Sequence, residues 1–286
     1  MRKYFASLLL GIFLASAASA QSNPISYRDG DEFRGLVRSV QTEHALVSRQ
    51  NDEVIEGPRV LLQTRKYSPD GRRCETIAYQ KDGSQRYKDI YIYNDAGKLA
   101  EKDTFNEQDV LTRKQVNSFD EGGRLTEETA FNTDGTLQQR KVLIYSSAKD
   151  RLLEIVTYDG NGMVIRRDVN SYDYQNRKST WHTEEPDGTR SEQTFDLNAP
   201  EPRLQEYIGY NAGGGVARTH ISSNDYPVHR IEGTDYNADG AVVRKESQNR
   251  EFDSHRNITK ITWLRWNKER ETFEPFAITY NIISYY

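Results

Sequence analysis

A thirteen-residue phrase occurs twice in the chain, as YNDAGKLAEKDTF from Tyr93 to Phe105 and as FDEGGRLTEETAF from Phe119 to Phe131. The two copies start 26 residues apart and match in outline. Self-similarity at a fixed period of about 20–50 residues is the signature of a chain built from one repeated supersecondary unit. The repeat therefore limits the possible folds before composition is considered.

The start of this phrase recurs along most of the chain. Each copy opens with an aromatic residue, except for one that opens with Glu184. Four positions later, each copy has a residue that tolerates positive φ. The starts are Tyr67, Tyr79, Tyr93, Phe105, Phe119, Phe131, Tyr158, Tyr172, Glu184, Tyr210 and Tyr236. The residues four positions later are Gly71, Gly83, Gly97, Asp109, Gly123, Gly135, Gly162, Asn176, Gly188, Gly214 and Gly240. Asx, Ser or Pro residues before these positions are typical of a type I turn followed by a bulged hairpin loop. Each phrase therefore predicts one hairpin turn, and none has the ligand spacing of a calcium loop.

This loop geometry predicts the pairing of the flanking strands. The opening aromatic residue is expected opposite the residue six positions later. These partners are Leu99, Leu111, Leu125, Leu137, Val164, Val216 and Val242. Because the repeat steps of 12 and 14 residues are even, the same reasoning predicts that all these pairs share one face of the sheet. It also predicts three cross-strand charge pairs: Asp103 with Arg113, Glu127 with Lys141, and Glu128 with Arg140.

The predicted fold class is all-β, an elongated or curled antiparallel meander of tandem hairpin repeats with two turns per 26-residue period. The predicted organisation is a signal peptide at 1–20, N-terminal strands at 21–66, a repeat array at 67–256 and a closing hairpin at 257–286 that caps the array. Strands are expected in GLVRSVQTEHALVS and RVLLQTRKY. Pro200, Pro202 and Pro227 predict irregular loops or edge bulges within the array.

The N-terminus has the layout of a cleavable secretory signal. Arg2 and Lys3 precede a short apolar run, and Ala18-Ser19-Ala20 forms a small-residue exit. The sequence therefore predicts export to the periplasm or the exterior. One cysteine, Cys74, is present, so the exported chain is expected to fold without an intramolecular disulfide.

Composition limits the class of partner. The net charge is −4, and loss of Arg2 and Lys3 with the leader takes it to −6. Nucleic-acid binders carry a basic footprint, so no nucleic-acid partner is expected. Hydrophobic residues make up 35% and mean hydropathy is −0.86, yet the chain has 18 Tyr and 10 Phe. Disordered chains usually lack aromatic residues, so this combination indicates folded strands with extensively solvated faces.

The serial aromatic-[DN]-x-x-G-[KR]-L phrase, best seen in YNDAGKL and FDEGGRL, resembles the YD-repeat or Rhs-type β-hairpin repeats of exported bacterial proteins. The resemblance covers Tyr67 to Phe252, and EFDSHRNITKITW looks like a last degenerate copy with Arg256 in the glycine position. It implies an exported hairpin array. Large members enclose a toxin, whereas others present surfaces for carbohydrate or protein contact. This chain lacks the shell motif and a toxin-sized tail, so the resemblance is to a short member without a toxin domain.

No catalytic, cofactor-binding or metal-binding residue is predicted. The histidines His44, His182, His220, His229 and His255 lack the spacing of metal-binding motifs. Cys74 has no neighbouring base, and no G-x-S-x-G sequence occurs. No cofactor is expected, and whether the protein is an enzyme is left open, with the sequence favouring a non-enzyme.

The leading functional prediction is an exported, non-catalytic binding or scaffold protein of the cell envelope, with carbohydrate or an envelope protein as partner. Tyr91, Trp181, Trp263 and Trp266 are the candidate contact residues, and packing is the alternative role for each of them.

Two alternative functions remain. One is a polysaccharide-acting hydrolase that uses a Glu/Asp pair, for which Glu127-Glu128 and Glu184-Glu185 supply the residue types. The other is an outer-membrane β-barrel, suggested by the alternating C-terminal strand that ends at Tyr286. One face of this strand carries Phe276, Ile278, Tyr280, Ile282 and Tyr286. Charged residues at the middle of the strands, such as Lys102 and Glu127, argue against lipid contact and favour a chain that does not span the membrane.

Overall fold

The computed structural model describes residues 33–51, 53–146, 151–197, 203–225 and 230–286. All regular elements in these ranges are β-strands, which confirms the all-β class. The predicted signal peptide at 1–20, His229 and the three prolines expected to loosen the array lie outside the described residues. The strands are β1 Val37–Gln50, β2 Glu53–Glu56, β3 Val60–Tyr67, β4 Arg73–Tyr79, β5 Gln85–Tyr93, β6 Leu99–Phe105, β7 Leu111–Phe119, β8 Leu125–Phe131, β9 Leu137–Tyr145, β10 Leu152–Asp159, β11 Val164–Asp173, β12 Lys178–Glu184, β13 Arg190–Asp196, β14 Arg203–Tyr210, β15 Val216–Asp225, β16 Arg230–Asn237, β17 Val242–Phe252, β18 Ile258–Asn267 and β19 Thr272–Tyr285.

The strands form an antiparallel meander that closes on itself. From β3 to β19 each strand pairs with the next along the chain. β1 pairs with β3 on one side and with β19 on the other, so β1 and β3–β19 form a closed ring of 18 strands. The predicted meander is therefore correct, and the sheet, predicted to be elongated or curled, is closed into a barrel. The C-terminal hairpin β18–β19 does not cap an end of the array. β19 pairs with β18 on one side and with β1 on the other.

The remaining strand, β2, extends the barrel locally. Val47 to Gln50 at the end of β1 pair with β2, while the earlier part of β1 pairs with β3. Gly57 lies between β2 and β3 and donates its backbone N–H to the carbonyl of Leu46 at 2.8 Å. The hairpin between β1 and β2 thus continues one wall of the barrel.

The predicted turns are confirmed in geometry and pairing. Every aromatic start except Tyr172 lies opposite the residue six positions later, as in the pairs Phe119 with Leu125 and Tyr236 with Val242. Tyr172 pairs with Ser179 instead. Positive φ is found at the predicted glycines, at Asp109 (58°) and at Arg256 (64°). The turn after β11 departs from the prediction, because Arg177 rather than Asn176 has positive φ. That turn is longer, with Asp173 paired to Lys178.

A second irregularity, in the pairing of the strands, makes one prediction wrong, namely that all the aromatic pairs share one face of the sheet. Each hairpin that starts with an aromatic residue and has the six-residue spacing carries one extra residue next to the opening pair; Phe119 pairs with Leu125, and Ser118 pairs with Glu127. The hairpin that starts at Glu184 has no extra residue, since Thr183 pairs with Ser191. The extra residue reverses the alternation of side chains between the two faces of the sheet. The aromatic side chains at hairpins of one barrel end therefore face the opposite way from those at the other end. The extra residue also shifts the predicted charge pairs by one position. Arg113 lies opposite Thr104, Lys141 opposite Glu128, and Arg140 opposite Thr129.

Burial distinguishes the two faces of the ring. On β11, Asp168 and Asn170 are buried, while the alternating Arg167, Val169 and Ser171 are exposed. Cross-strand partners share a face, and following the pairing around the ring assigns Asp168 and its partners to one face throughout. We call the more buried set the inner face and the other set the outer face, because side chains converge on the concave side of a closed barrel.

The best-packed part of the inner face joins the two chain ends. Val40 is fully buried and clusters with Val37 and Tyr67, and Phe33, Ile283 and Tyr285 pack against them. Tyr286 donates its backbone N–H to Leu36 and its hydroxyl to the carbonyl of Tyr67 at 2.5 Å. These contacts bring β1, β3 and β19 together and account for closure.

Candidate functional site

Three of the four aromatic candidates lie on the inner face. Tyr91 pairs with Lys102, Trp181 with Asn170, and Trp263 with Gln248 and Ala277. All three are half-buried.

Trp266, the fourth candidate, lies on the outer face, where its ring contacts Phe273 edge-on at 5.2 Å. Packing therefore accounts for Trp266. The inner aromatic residues remain candidates for ligand contact.

Asp235 is the centre of the most developed polar cluster on the inner face. It lies on β16 between His220 on β15 and Arg244 on β17. Its Oδ1 accepts hydrogen bonds from Arg218 (2.7 Å) and the His220 imidazole (2.9 Å), and its Oδ2 accepts from Arg244 (2.6 Å). The Asp235 side chain is only 5% exposed. Burial raises its pKa, but the hydrogen bonds from the two arginines and His220 outweigh burial and lower the pKa to about 2.

The cluster continues along the barrel wall through Glu246. This carboxylate lies 3.9 Å from Arg244 and accepts two hydrogen bonds from Arg265 on β18, at 2.8 and 3.0 Å. We call Arg218, Arg244 and Arg265 the arginine arc. Two carboxylates hold these three guanidinium groups. Glu274 lies opposite Arg265 but is ion-paired with Arg49 and Arg270, so the arc keeps an excess of one positive charge. Arg218 and Arg265 remain 51% and 54% exposed on the inner face.

The space for His220 depends on a glycine. Gly233 lies on the same face of β16, and a Cβ atom there would approach His220 Cε1 to 2.6 Å. The ring of His220 therefore packs against bare backbone, which lets its Nδ1 reach Asp235. Any side chain at position 233 would displace the imidazole.

Smaller versions of this arrangement recur around the inner face. Asp168 is 6% exposed and accepts a bidentate pair of hydrogen bonds from Arg166 and one from Thr183 at 2.5 Å. Asp89 accepts a hydrogen bond from Thr104 at 2.7 Å and lies 3.7 Å from Lys102. Buried carboxylates held by cations and hydroxyl groups satisfy the need of buried charge for partners.

The inner face is basic although the chain is acidic. Among inner-face strand residues that the pairing of described strands places, basic side chains outnumber acidic ones by ten to eight. The basic residues are Arg65, Arg73, Lys102, Arg113, Lys141, Arg166, Arg218, Arg244, Arg250 and Arg265. The acidic residues are Glu53, Asp89, Glu128, Asp159, Asp168, Asp235, Glu246 and Glu274. The acidic excess of the sequence therefore lies elsewhere, on the outer face and in the turns.

The outer face carries ion pairs at mid-strand. Glu101 pairs with Lys114, Glu127 with Arg140, and Glu154 with Arg167, at 2.6, 2.6 and 3.0 Å. We call these three pairs the outer ion-pair belt. Exposed aliphatic residues lie between and beyond them: Ile92, Ile144, Val169, Ile221 and Ile282.

The carboxylate pairs of the hydrolase alternative are not brought together. Glu127 faces outward and Glu128 inward, since they are neighbours on one strand, and each is already ion-paired. Glu184 ends β12 and Glu185 begins the following turn. A raised carboxyl pKa occurs at Asp103, caused by burial and the nearby charge of Glu101. Asp103 lies on the convex outer face beside Lys114, without a cleft.

The described residues contain no cluster of three or more His, Cys, Asp or Glu side chains that could hold a metal ion. His44 contacts Thr279, His182 lies near Glu192, and His255 stacks on Tyr285. Cys74 is exposed. Within the same described ranges, no helix is long and apolar enough to cross a membrane.

Sequence reasoning missed His220, Asp235 and the arginine arc. Arg218 and His220 stand two residues apart, as do Arg244 and Glu246, which places each pair on one face of a strand. Which residues of different strands meet depends on the extra residue that most repeat hairpins carry. The repeat phrase alone does not reveal it.

Comparisons with known proteins give structural similarity alone. No protein-family model matches the chain, and no curated protein matches it. A porin-like protein from Bacteroides uniformis is similar at 10% identity, over 87% of this chain and 96% of that one, with a TM-score of 0.44. A porin-like protein from Bacteroides vulgatus gives 11% identity, 87% and 98% coverage, and a TM-score of 0.35. A TcdB2-TccC3 fusion chain gives 12% identity over 81% of this chain and 14% of that chain, with a TM-score of 0.23.

Proposed function

We propose that the protein is an exported, non-catalytic β-barrel of the cell envelope that binds a ligand on its inner face. The observation that carries this proposal is the division of side chains between the faces. Aromatic residues and hydrogen-bonded arginines line the inside, whereas the outside carries ordinary exposed ion pairs. A ring of roughly 16–18 strands is wide enough to leave an aqueous interior, so ligands have access to these inner groups.

Export rests on the leader sequence. Arg2 and Lys3, the apolar run and Ala18-Ser19-Ala20 are the three parts that a secretory signal requires. Membership of the YD-repeat class remains a proposal supported by the repeat phrase and its confirmed hairpin turns.

An outer-membrane barrel is the second candidate, and ring closure favours it. Such barrels have an even number of antiparallel strands with the first paired to the last, as seen here for β1 and β19. They also need an outward-facing apolar band about 25 Å tall. The outer ion-pair belt interrupts any such band, and each Lys or Arg at the bilayer midplane costs about 2–4 kcal/mol. The belt therefore favours a barrel outside the lipid phase.

Fractionation separates the two candidates. The full chain with its leader is expressed in a diderm bacterium, and the envelope is washed with alkaline carbonate. We expect the processed protein in the periplasmic or carbonate-released fraction, without detergent. Protein that requires detergent for release, and whose gel mobility changes on heating as for a folded membrane barrel, would establish the outer-membrane alternative instead.

A further inference from the structure

We propose that the arginine arc, together with Trp263, is a binding site for an acidic polysaccharide, a polymer whose sugar rings carry carboxylate or sulfate groups. This inference rests on the proposed function, because it requires the inner face to be open to a ligand. It adds the chemical class of that ligand and the part of the barrel wall that holds it.

The arc offers fixed donors with unused capacity. A guanidinium group has five N–H donors in a planar fork suited to oxyanions. Asp235 engages one nitrogen of Arg218, and Glu246 engages two of Arg265. These acids fix the direction of the side chains without neutralising the arc, since three cations face two anions. About half of each terminal arginine remains open on the inner face.

The spacing suits a polymer with repeated charge. Arg218, Arg244 and Arg265 lie on β15, β17 and β18, so the arc crosses three inter-strand spacings, about 14 Å along the wall. A single small oxyanion occupies one such position. A chain of acidic sugars reaches all three.

Trp263 supplies the contact for the sugar rings. It lies two residues from Arg265 on the same face of β18, and its indole N–H is held by Thr279 at 3.0 Å. A tethered indole presents a fixed apolar face beside charged donors, and such amphipathic rings match the mixed surface of sugars.

Charge argues against nucleic acid as the occupant. The chain has a net charge of −4, and its outer face and turns are acidic. Nucleic-acid binders depend on a basic footprint to attract a densely charged polymer. A polyuronate carries one charge per sugar ring, whereas duplex DNA carries one per about 1.7 Å of its axis, so a polyuronate needs a smaller basic footprint.

The test measures binding of three fluorescent polymers to the purified full chain at low salt: polygalacturonate for carboxylates, dextran sulfate for sulfates and neutral dextran. Oligo-dT is a fourth probe. We expect salt-sensitive binding of one or both acidic polysaccharides and none of neutral dextran. The double variant Arg218→Gln/Arg265→Gln should lose about tenfold or more in affinity. It leaves Asp235 with Arg244 and His220, so the fold is retained.

The matched control is Lys114→Gln/Arg167→Gln, which removes two cations of similar exposure from the outer face. Its affinity should equal that of the unmodified chain. A loss equal to that of the arc variant would mean that binding follows net charge, and it would overturn the site. No binding of either acidic polymer, or tighter binding of oligo-dT, would also overturn it. Such results leave the proposed function intact if the protein is still released without detergent, so the two failures are distinguishable.

A second variant, Trp263→Phe, tests the aromatic contact. We expect weaker binding with an unchanged salt dependence, because the ring carries no charge. A changed salt dependence together with full affinity would remove Trp263 from the site.

Discussion

Ser39 of the first barrel strand lies directly opposite Ser284 of the last, with their hydroxyl oxygens 2.7 Å apart although 245 positions separate them in sequence. Closure of the barrel depends on contacts of this kind. The neighbouring pair Val40 and Ile283 faces inward and is part of the small core that also contains Tyr67. At this seam the outward side is therefore polar and the inward side apolar.

Closure predicts a disulfide between the chain ends. In a Cys74→Ser background, Ser39→Cys/Ser284→Cys should oxidise readily, because directly opposed residues of antiparallel strands have Cα atoms about 4.5–5.5 Å apart, within the range that a disulfide spans. We expect a faster-migrating band on a non-reducing gel and stabilisation of about 2–4 kcal/mol. Ser39→Cys/Ser118→Cys is the control, since Ser118 lies on β7. An open meander would leave both pairs reduced.

The turns predict a difference between substitutions at one glycine. Gly135 has a φ of 80°, and a Cβ there would meet nothing within 4 Å. Any cost is therefore conformational. Gly135→Val should destabilise by about 1–2 kcal/mol, whereas Gly135→Asn should cost much less because Asn adopts this conformation more easily. Denaturant unfolding measures both, and equal losses would contradict the positive φ.

The local structure was predictable because it depends on near neighbours. A turn such as Asn94 to Lys98 needs only an Asx residue, two permissive residues and a glycine, all adjacent in sequence. The pairing of Phe119 with Leu125 follows from the turn length. Because the turn and its strand pairing repeat along the chain, each copy supports the prediction made for the others.

The barrel and the site were not predictable because they depend on effects that accumulate around the ring. Thr126 is the extra residue of one hairpin, and nothing in its chemistry indicates this. It shifts the pairing by one position and reverses the face. Closure requires β1 to meet β19, and the repeat phrase occurs in neither strand. Asp235 and Arg218 become partners only once this register is known.

The Asp235 cluster predicts a dependence of stability on pH. Its pKa in the folded protein is about 2, below the ordinary aspartate value of 3.8, because hydrogen bonds from Arg218, His220 and Arg244 outweigh burial. A lowered carboxyl pKa gives stability that is complete above the unfolded value and is lost as pH falls toward the folded value. One pKa unit corresponds to 1.36 kcal/mol, so Asp235 contributes about 2 kcal/mol at neutral pH.

The variant Asp235→Asn should lose this contribution. Its Tm should lie below that of the unmodified chain at pH 6, and the two should converge between pH 4 and pH 2. The comparable variant Asp95→Asn, at an exposed turn position, serves as the control for general charge effects. A constant difference in Tm across the pH range would mean that the carboxylate charge of Asp235 is not what stabilises the cluster.

The outer face predicts the behaviour of Trp266 in the presence of lipid. The three tryptophans of the chain divide between the faces, with Trp181 and Trp263 inside and Trp266 outside. The double variant Trp181→Phe/Trp263→Phe therefore reports fluorescence from the outer face alone. Because the outer ion-pair belt opposes insertion, vesicles that contain brominated lipids should leave this fluorescence unchanged, while aqueous acrylamide quenches it. In the variant Trp181→Phe/Trp266→Phe, which keeps only Trp263, the fluorescence should change with an acidic polysaccharide but not with lipid. Strong quenching of Trp266 by brominated lipid would place the outer face in a bilayer and make the outer-membrane barrel the correct assignment.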